Sequence, residues 1–265
     1  MVSSVPLVGL VKKPFDKPLR ELGSFMAMAL DTFVQAFRLP FFWRETIEQC
    51  WFIARVATLP AIVQSVAFNG MVVFMFGVAV VSFGAGDTMG GGSGLAALSQ
   101  IGPVTTVFVL SGAAATAMCA DLGARTIREE IDAMRVLGID PIHRLVVPRV
   151  TALLITGNLI NAVVCLTGLG ADYAFAVYAL NGNPGAFAST LTLLTNFSTV
   201  VVSFLKASVF GMLAGLIACY KGMTAGGGPQ GVGNAVNETV VFTFLALLIA
   251  NIIISVLTAS QTVIT

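Results

Sequence analysis

The chain has 265 residues, of which 57% are hydrophobic and only 10% are charged, and its mean hydropathy is +0.92. Soluble domains contain about 25% charged residues, so this composition excludes a soluble protein and indicates an integral membrane protein. The formal net charge of +1 gives no reason to expect a nucleic acid partner.

An amphipathic helix is predicted between Glu21 and Arg38. Apolar side chains recur there on one helical face, and polar or charged side chains occupy another. Such a helix is expected to lie in the membrane interface; the alternative is an amphipathic helix of the protein core. Pro40 is expected to end it. The apolar face consists of Leu22, Phe25, Met26, Ala29, Phe33, Ala36 and Phe37.

The next segment, residues 41–59, mixes charged and apolar residues, with Trp43 and Trp51 placed for the headgroup region. A cleavable signal peptide is excluded because Asp31 and Arg38 interrupt the preceding apolar run. We therefore predict two regions. Residues 1–59 form a cytoplasmic N-terminus with the interfacial helix, and residues 60–265 form a transmembrane domain.

Five segments provide the roughly 20 apolar residues that a helix needs to cross a bilayer. They cover residues 60–84, 101–120, 145–180, 190–220 and 239–262, and they predict an all-α polytopic membrane protein. With this topology every lysine and arginine except Lys206 falls on the side of the N-terminus, and the 84–100 and 181–187 connections contain none. The positive-inside tendency places the N-terminus in the cytoplasm and the C-terminus outside.

The connection between the second and third spans is the densest cluster of charge in the chain. A short amphipathic helix is predicted over residues 124–138, with Gly138 as its stop and Asp140-Pro141 opening the next helix. On spacing alone, an ordinary solvated loop is the alternative. The apolar seam of this helix is Ile127, Ile131, Met134 and Leu137, and the charged residues around it are Arg125, Arg128, Glu129, Glu130, Asp132 and Arg135.

Lys206 is the unusual residue of the membrane spans, because an ionised group at mid-membrane depth needs a partner. Asn251, a backbone carbonyl or an anionic lipid headgroup could supply one. The same span carries small residues at four-residue intervals, which permit close helix packing either inside one subunit or between subunits. These residues are Ser203, Ala207, Gly211 and Gly215.

The cysteine and glycine patterns predict neither a disulfide framework or metal site nor a phosphate-binding loop. Cys50, Cys119, Cys165 and Cys219 are far apart, so we predict neither a disulfide framework nor a metal site. The glycine-rich run GMTAGGGPQGVGNA lacks the lysine of a GxxxxGK[ST] phosphate-binding loop. It is expected to be a flexible cytoplasmic turn.

The segment QIGPVTTVFVLSGAAATAMCADLGARTIREEIDAMRVLGIDPIHRLVVPR resembles the signature of the MlaE/YrbE permease family. The likeness continues through LKASVFGMLAGLIACYKG and AVNETVV and covers residues 60–262. These permeases are membrane subunits of ATP-driven lipid transporters that work with MCE proteins. Within this family, the sequence most resembles the first of the two YrbE chains of actinobacteria.

The resemblance implies that Arg125 to Leu137 form a coupling helix seated in a cytoplasmic ATPase subunit. ATP and Mg²⁺ would then be bound by an ATPase dimer, and this chain would be a non-catalytic permease without a cofactor. A second permease chain, either a paralogue or an identical copy, and periplasmic MCE proteins would complete the assembly in the inner membrane. A lipid path is expected along Gln64, Phe68, Asn69, Val73, Phe76, Gln100 and Lys206.

This chain departs from the family in one respect, and other functions remain open. Relatives often have an Arg-Glu pair before the second span, where this chain has Ser99 and Gln100, so no role of that pair is carried over.

A fatty acid, mycolic acid, phospholipid or sterol would each suit an apolar path. A membrane scaffold for an MCE assembly is the main alternative. A secondary transporter or channel is less favoured, because no internal repeat is evident, and His143 in the loop gives little support for an enzyme.

Overall fold

The computed structural model describes residues 16–38, 41–84 and 88–262. Within these ranges the regular structure is helical. Five helices are long and apolar enough to cross a membrane, and they cover Trp43–Ser82, Met89–Ile127, Ile142–Ala179, Phe197–Met223 and Gly228–Thr258. The predicted all-α polytopic fold is confirmed, whereas Pro40 lies outside the described residues. The helices are α1 (Asp16–Ala36), α2 (Trp43–Ser82), α3 (Met89–Ile127), α4 (Glu130–Val136), α5 (Ile142–Ala179), α6 (Pro184–Leu194), α7 (Phe197–Met223) and α8 (Gly228–Thr262).

The centre of the bundle is built by α3, α5 and α7, which are each about half buried, while α2 and α8 are mostly exposed. The third span, α5, packs against α2 on one side and α7 on the other, and α7 also contacts α3 and α8. Many side chains in the main core are small, including Ala114, Ala152 and Ala214. Small residues let the backbones approach closely, which is the usual basis of helix packing in membranes.

The first span is one helix of 40 residues, so the predicted domain boundary between residues 59 and 60 falls inside α2. Pro60 has no N–H to donate to the Val56 carbonyl, yet the helix continues. The apolar surroundings explain this, because ending a helix there would leave further backbone groups without partners. At 1.5 Å per residue α2 is about 60 Å long, twice the hydrocarbon core. Its first part, with the exposed Trp43 and Trp51, therefore extends beyond that core.

The second span begins earlier than predicted, because α3 starts at Met89, inside the expected 84–100 connection. Glycine is unfavourable in helices, but here it is required for packing. A Cβ on Gly90 would overlap the Phe187 carbonyl, and one on Gly91 would lie 2.7 Å from the Thr190 carbonyl oxygen. These glycines let α3 lie directly against α6, so tertiary packing outweighs helix propensity.

The predicted fourth span, residues 190–220, is divided between two helices. The first, α6, ends at Leu194; the backbone is extended at Thr195 and Asn196, and α7 begins at Phe197. Thr and Asn are weak helix formers, which suits this break. The last span also differs, since α8 starts at Gly228 and not near residue 239. Most of the second half of the glycine-rich run is therefore helical, and only residues 224–227 connect α7 with α8.

The interfacial helix α1 lies across the ends of α5 and α7. Met28 is 9% exposed and faces the bundle, whereas Leu22, Phe33 and Phe37 are exposed by 60% or more. A row of large apolar side chains facing away from the protein is expected for a helix in the membrane interface.

Candidate coupling surface and transport pathway

The segment between the second and third spans is a bend between two helices and not the single helix predicted over residues 124–138. The long helix α3 continues to Ile127, Glu129 has a left-handed backbone with φ 59°, and α4 follows from Glu130. The turn folds α4 back onto the chain's own core, where Ile131 is 3% exposed. A straight helix would have left that apolar side chain in water, which is unfavourable.

The end of α4 follows the predicted pattern. Gly138 has φ 74°, and the Ile139 N–H donates to the Met134 carbonyl at 2.9 Å, as is typical of a glycine-terminated helix. The Asp140 carboxylate then accepts the Ile142 N–H at 2.9 Å. The predicted helix stop and restart are confirmed.

The apolar side chains of the bend face two ways. Ile131 and Met134 pack into a cluster with residues of α3, α5 and α7, and Ile127 is partly buried. Ile131 is covered by its own chain and cannot touch a partner in this conformation. In contrast, Val136 is 87% exposed and Leu137 is 75% exposed. We name Val136 and Leu137 the apolar tip; Val136 lies off the predicted seam, and its position next to the helix stop was its only sequence signal.

Charged side chains surround the tip in short-range pairs. Arg135 contacts Asp132 at 2.9 Å, and Arg128 contacts Glu130 at 3.6 Å, while Glu129 is exposed. Exposed pairs of this kind contribute little to stability. They can instead set the orientation of a charged partner on the tip.

A buried ion pair lies beneath the bend. The Arg149 side chain, 0% exposed, contacts the carboxylate of Asp121, and its Nη1 donates to the Leu145 carbonyl at 3.0 Å. Asp121 also contacts Arg125, at 3.5 Å. Since Asp121 belongs to α3 and Arg149 to α5, the pair joins the two spans from which the bend emerges. The charge distribution of the sequence gives Arg149 only a topological role, whereas its position within the apolar run VVPRVTALL indicates a buried partner.

The helix α1 is attached at two places. Near its middle, the Ser24 hydroxyl lies 2.6 Å from the Tyr220 hydroxyl of α7, and the Phe25 ring contacts the Tyr220 ring edge-on. Near its end, Gln35 Nε2 donates to the Asp140 carboxylate at 2.7 Å. α1 therefore braces the residue at which the bend enters α5.

Lys206 is 2% exposed and has two partners. Its Nζ donates to the Ser99 carbonyl and to the Ser255 hydroxyl, each at 2.8 Å. The expected backbone carbonyl is thus confirmed as a partner. Pro103 explains which carbonyl is used, because a proline at this position has no N–H to donate to Ser99. The Lys206 ammonium group, on α7, donates to the Ser99 carbonyl of α3 in place of that missing N–H. It also donates to the Ser255 hydroxyl of α8.

The predicted path residues are only partly brought together. Val73 and Phe76 line an apolar cavity of about 80 Å³ with residues of α3. Gln100 and Lys206 both donate to the Ser255 hydroxyl. Asn69 is buried between α2 and α5. Gln64 and Phe68 lie elsewhere on α2. The α3 side of the cavity is formed by Met89, Gly92, Ser93, Ala96 and Ile101.

The small-residue ridge of α7 packs inside the subunit. Ser203 Oγ accepts the Asn161 side-chain N–H at 3.0 Å, and Asn161 also accepts the Thr106 hydroxyl at 3.2 Å, which links α7, α5 and α3. Ala207 is buried at the same contact. Further along, a Cβ on Gly211 would overlap the Leu153 carbonyl oxygen, while one on Gly215 would lie 3.1 Å from the Val150 Cα.

Gly211→Ala is therefore expected to destabilise the protein by about 1 to 3 kcal/mol, because the added methyl group forces α7 away from α5. Thermal unfolding of the purified protein in detergent measures the effect. Gly112→Ala is the matched control, since a Cβ there has open space and alanine favours the helix. Equal melting temperatures for the two variants would contradict the proposed close contact.

Comparisons with known proteins agree with this architecture. The family model "Permease MlaE" matches residues 46–257. A probable ABC transporter permease protein of Rickettsia typhi is 27% identical over 250 residues, which cover 94% of this chain and 96% of the relative. A probable ABC transporter permease protein of Synechocystis is 32% identical over 216 residues, 80% of this chain and 81% of the relative. The intermembrane phospholipid transport system permease protein MlaE of Haemophilus influenzae is 27% identical over 195 residues, 73% of this chain and 75% of the relative. With four-fifths of its length matched, this multi-pass membrane protein belongs to the MlaE permease family.

Proposed function

We propose that the chain is the membrane subunit of an ATP-driven transporter that moves lipid across the cell envelope. The observation that carries the proposal is the apolar tip, Val136 and Leu137, held on a cytoplasmic bend that its own chain fixes from beneath. Large exposed apolar side chains in water indicate a protein contact. A permease without a phosphate-binding loop needs such a contact to receive the energy of ATP.

The ATPase is a separate dimer that binds ATP and Mg²⁺, and this chain is non-catalytic. The tip seats in a groove of the ATPase, while Arg128, Glu129, Asp132 and Arg135 set the register. Charge around an apolar centre confers specificity more than affinity. Ile131 and Met134 do not contact the ATPase. They pack against α3, α5 and α7 and so connect α4 to these helices.

The substrate is a lipid. The cavity between α2 and α3 is lined almost entirely by apolar side chains, and the relative from Haemophilus influenzae is named a phospholipid transport permease. An apolar lining accepts an acyl chain, and fatty acids, mycolic acids, phospholipids and sterols would all fit this description.

The assembly contains a second permease chain, a paralogue, and MCE proteins on the outer side of the inner membrane. The N-terminus lies in the cytoplasm and the C-terminus in the periplasm. This orientation is supported by the distribution of basic residues and by the position of Arg144 and Arg149 at the start of α5.

Purification of the tagged chain from its native membrane in mild detergent tests the proposal, with ATP hydrolysis as the readout. The wild type should bring an ATPase, MCE proteins and a second permease. Arg128→Glu with Arg135→Glu should lower ATPase recovery more than tenfold, because like charges at an interface cost several kcal/mol.

The control variant carries Arg44→Glu and Arg55→Glu, which make the same change of charge on α2. It should retain the ATPase. A chain that purifies without an ATPase would overturn the proposal and favour a channel. Retained MCE proteins without an ATPase would instead favour a scaffold.

A further inference from the structure

Asp172 is a buried acid near the C-terminal end of α5. It is 0% exposed, and among the described residues neither of its carboxyl oxygens has a hydrogen-bond partner. An ionised carboxylate without a partner is strongly disfavoured in an apolar interior, so it neutralises or binds a cation. Asp172 therefore requires a ligand that the proposed transport function does not supply.

A second unpaired acceptor lies on α2. Asn69 is 1% exposed, and its Nδ2 donates to the Ser65 carbonyl at 2.9 Å and to the Ser65 hydroxyl at 3.3 Å. Its Oδ1 has no partner within the part of the chain that the structure describes. The amide orientation is fixed, because the reversed amide would set Oδ1 against the Ser65 carbonyl oxygen. The free atom of Asn69 is thus an acceptor.

The register of α2 and α5 places Asn69 against Gly168, one turn before Asp172. Ser65 Oγ donates to the Val164 carbonyl at 2.7 Å. One turn later a Cβ on Gly168 would lie 2.7 Å from Asn69 Nδ2 and 3.2 Å from Asn69 Oδ1. Asp172 is the next residue on that face of α5. Side chains in a helix point back toward its N-terminus. We therefore expect the Asp172 carboxyl group to point to the turn at Gly168, where the amide group of Asn69 lies.

The described elements packed around this pair provide no counter-charge. Neither α2 beyond Arg55, nor α3 before Asp121, nor α6 contains an acidic or basic side chain, and Arg149 is at the other end of α5. Lys206 donates to Ser99 and Ser255 instead. A metal ion would need several further oxygen ligands. One proton on Asp172 removes its charge and lets the carboxyl group donate to Asn69 Oδ1, which leaves only the neutral carbonyl oxygen of Asp172 without a donor.

We propose that Asp172 is a proton-binding site whose carboxylic acid O–H donates to Oδ1 of Asn69. The bond joins α5 to α2 one turn from Val73, which lines the apolar cavity. Loss of the proton sets two acceptors against each other and favours separation of the two helices. Binding of the proton therefore stabilises the contact between α5 and α2 beside the apolar cavity, and loss of the proton weakens that contact.

Infrared difference spectroscopy of the purified protein in lipid bilayers tests this site. The wild type minus Asp172→Asn spectrum should contain the C=O stretch of one protonated carboxyl group, and the band should shift in heavy water. Asn69→Ala should keep the band but move it to higher frequency, because the carboxylic acid loses its acceptor. The control, Asp132→Asn, changes an exposed carboxylate and should leave the band unaltered.

Three results would overturn the proposal. The first is the absence of a protonated carboxyl band that depends on Asp172. The second is a band that Asn69→Ala does not move. The third is a band that disappears when sodium chloride replaces choline chloride at constant pH, which would show that Asp172 binds a metal cation. Helix content measured by circular dichroism checks that both variants fold, and none of these readouts depends on transport.

Discussion

Replacing Val136 and Leu137 with aspartate is expected to abolish binding of the ATPase while the chain still folds in the membrane. Both side chains are more than 70% exposed, so the substitutions disturb no internal packing. At an interface, an apolar residue in a central pocket contributes about 2 kcal/mol or more. The loss of two corresponds to roughly a thousandfold weaker binding. ATPase recovered per permease, and ATP hydrolysis stimulated by lipid, measure the effect.

Val136→Ile with Leu137→Met is the matched control, because it preserves the apolar character of the tip. This variant should retain ATPase within a few-fold of the wild type. If the aspartate variant also retains its ATPase, the tip is not the contact and the proposed coupling surface is wrong. A variant that fails to reach the membrane would show instead that the tip packs on its own chain, which also contradicts the proposal.

Asp121→Ala is expected to destabilise the protein by about 3 kcal/mol or more, since it leaves the fully buried Arg149 without a counter-charge. Loss of one partner of a buried pair costs about 3 to 5 kcal/mol. The lower end applies here because the Asp121 side chain is 38% exposed. The melting temperature of the purified protein in detergent, at constant lipid content, measures this loss.

Two further variants distinguish the buried pair from general surface charge. Arg125→Ala removes the more exposed cation of Asp121 and should cost no more than about 1 kcal/mol. Asp121→Ala combined with Arg149→Met should be more stable than Asp121→Ala alone, because the uncompensated charge is gone. If the double variant melts below the single variant, Arg149 contributes through contacts other than Asp121.

Local sequence properties predicted the parts of the fold that local forces determine. Hydropathy identified the five spans, and Gly138 marked the end of α4 because glycine readily adopts the left-handed backbone that a helix terminus requires. Helix boundaries were wrong where distant packing decides them. Gly90 and Gly91 disfavour a helix in isolation, but their contact with α6 makes them helical. Pro60 interrupts one hydrogen bond, and the apolar environment keeps α2 continuous.

The site was predicted in outline only, because helical spacing shows which residues share a face and not what covers that face. The seam through Ile131 and Met134 is correct as a helical face, but the protein's own core occupies it. The pairing of Arg149 with Asp121 could not be predicted, since it depends on the relative heights of α3 and α5. Lys206 could be expected to bond a carbonyl, whereas the choice of Ser99 follows from the position of Pro103.

The polar contacts between α3, α5 and α7 have a mechanical consequence. Arg149 and Asp121 join α5 to α3 at one end, the Asn161 contacts link the three helices in the middle, and Lys206 fastens α7 to α3 beyond them. Sliding any one of these helices along another would break several buried contacts at once, so the three must move as a rigid body. The last span, α8, is tied to the same group because Ser255 accepts from Lys206 and Glu238 accepts from Lys221. Relative motion during a transport cycle then falls to α2, which is mostly exposed.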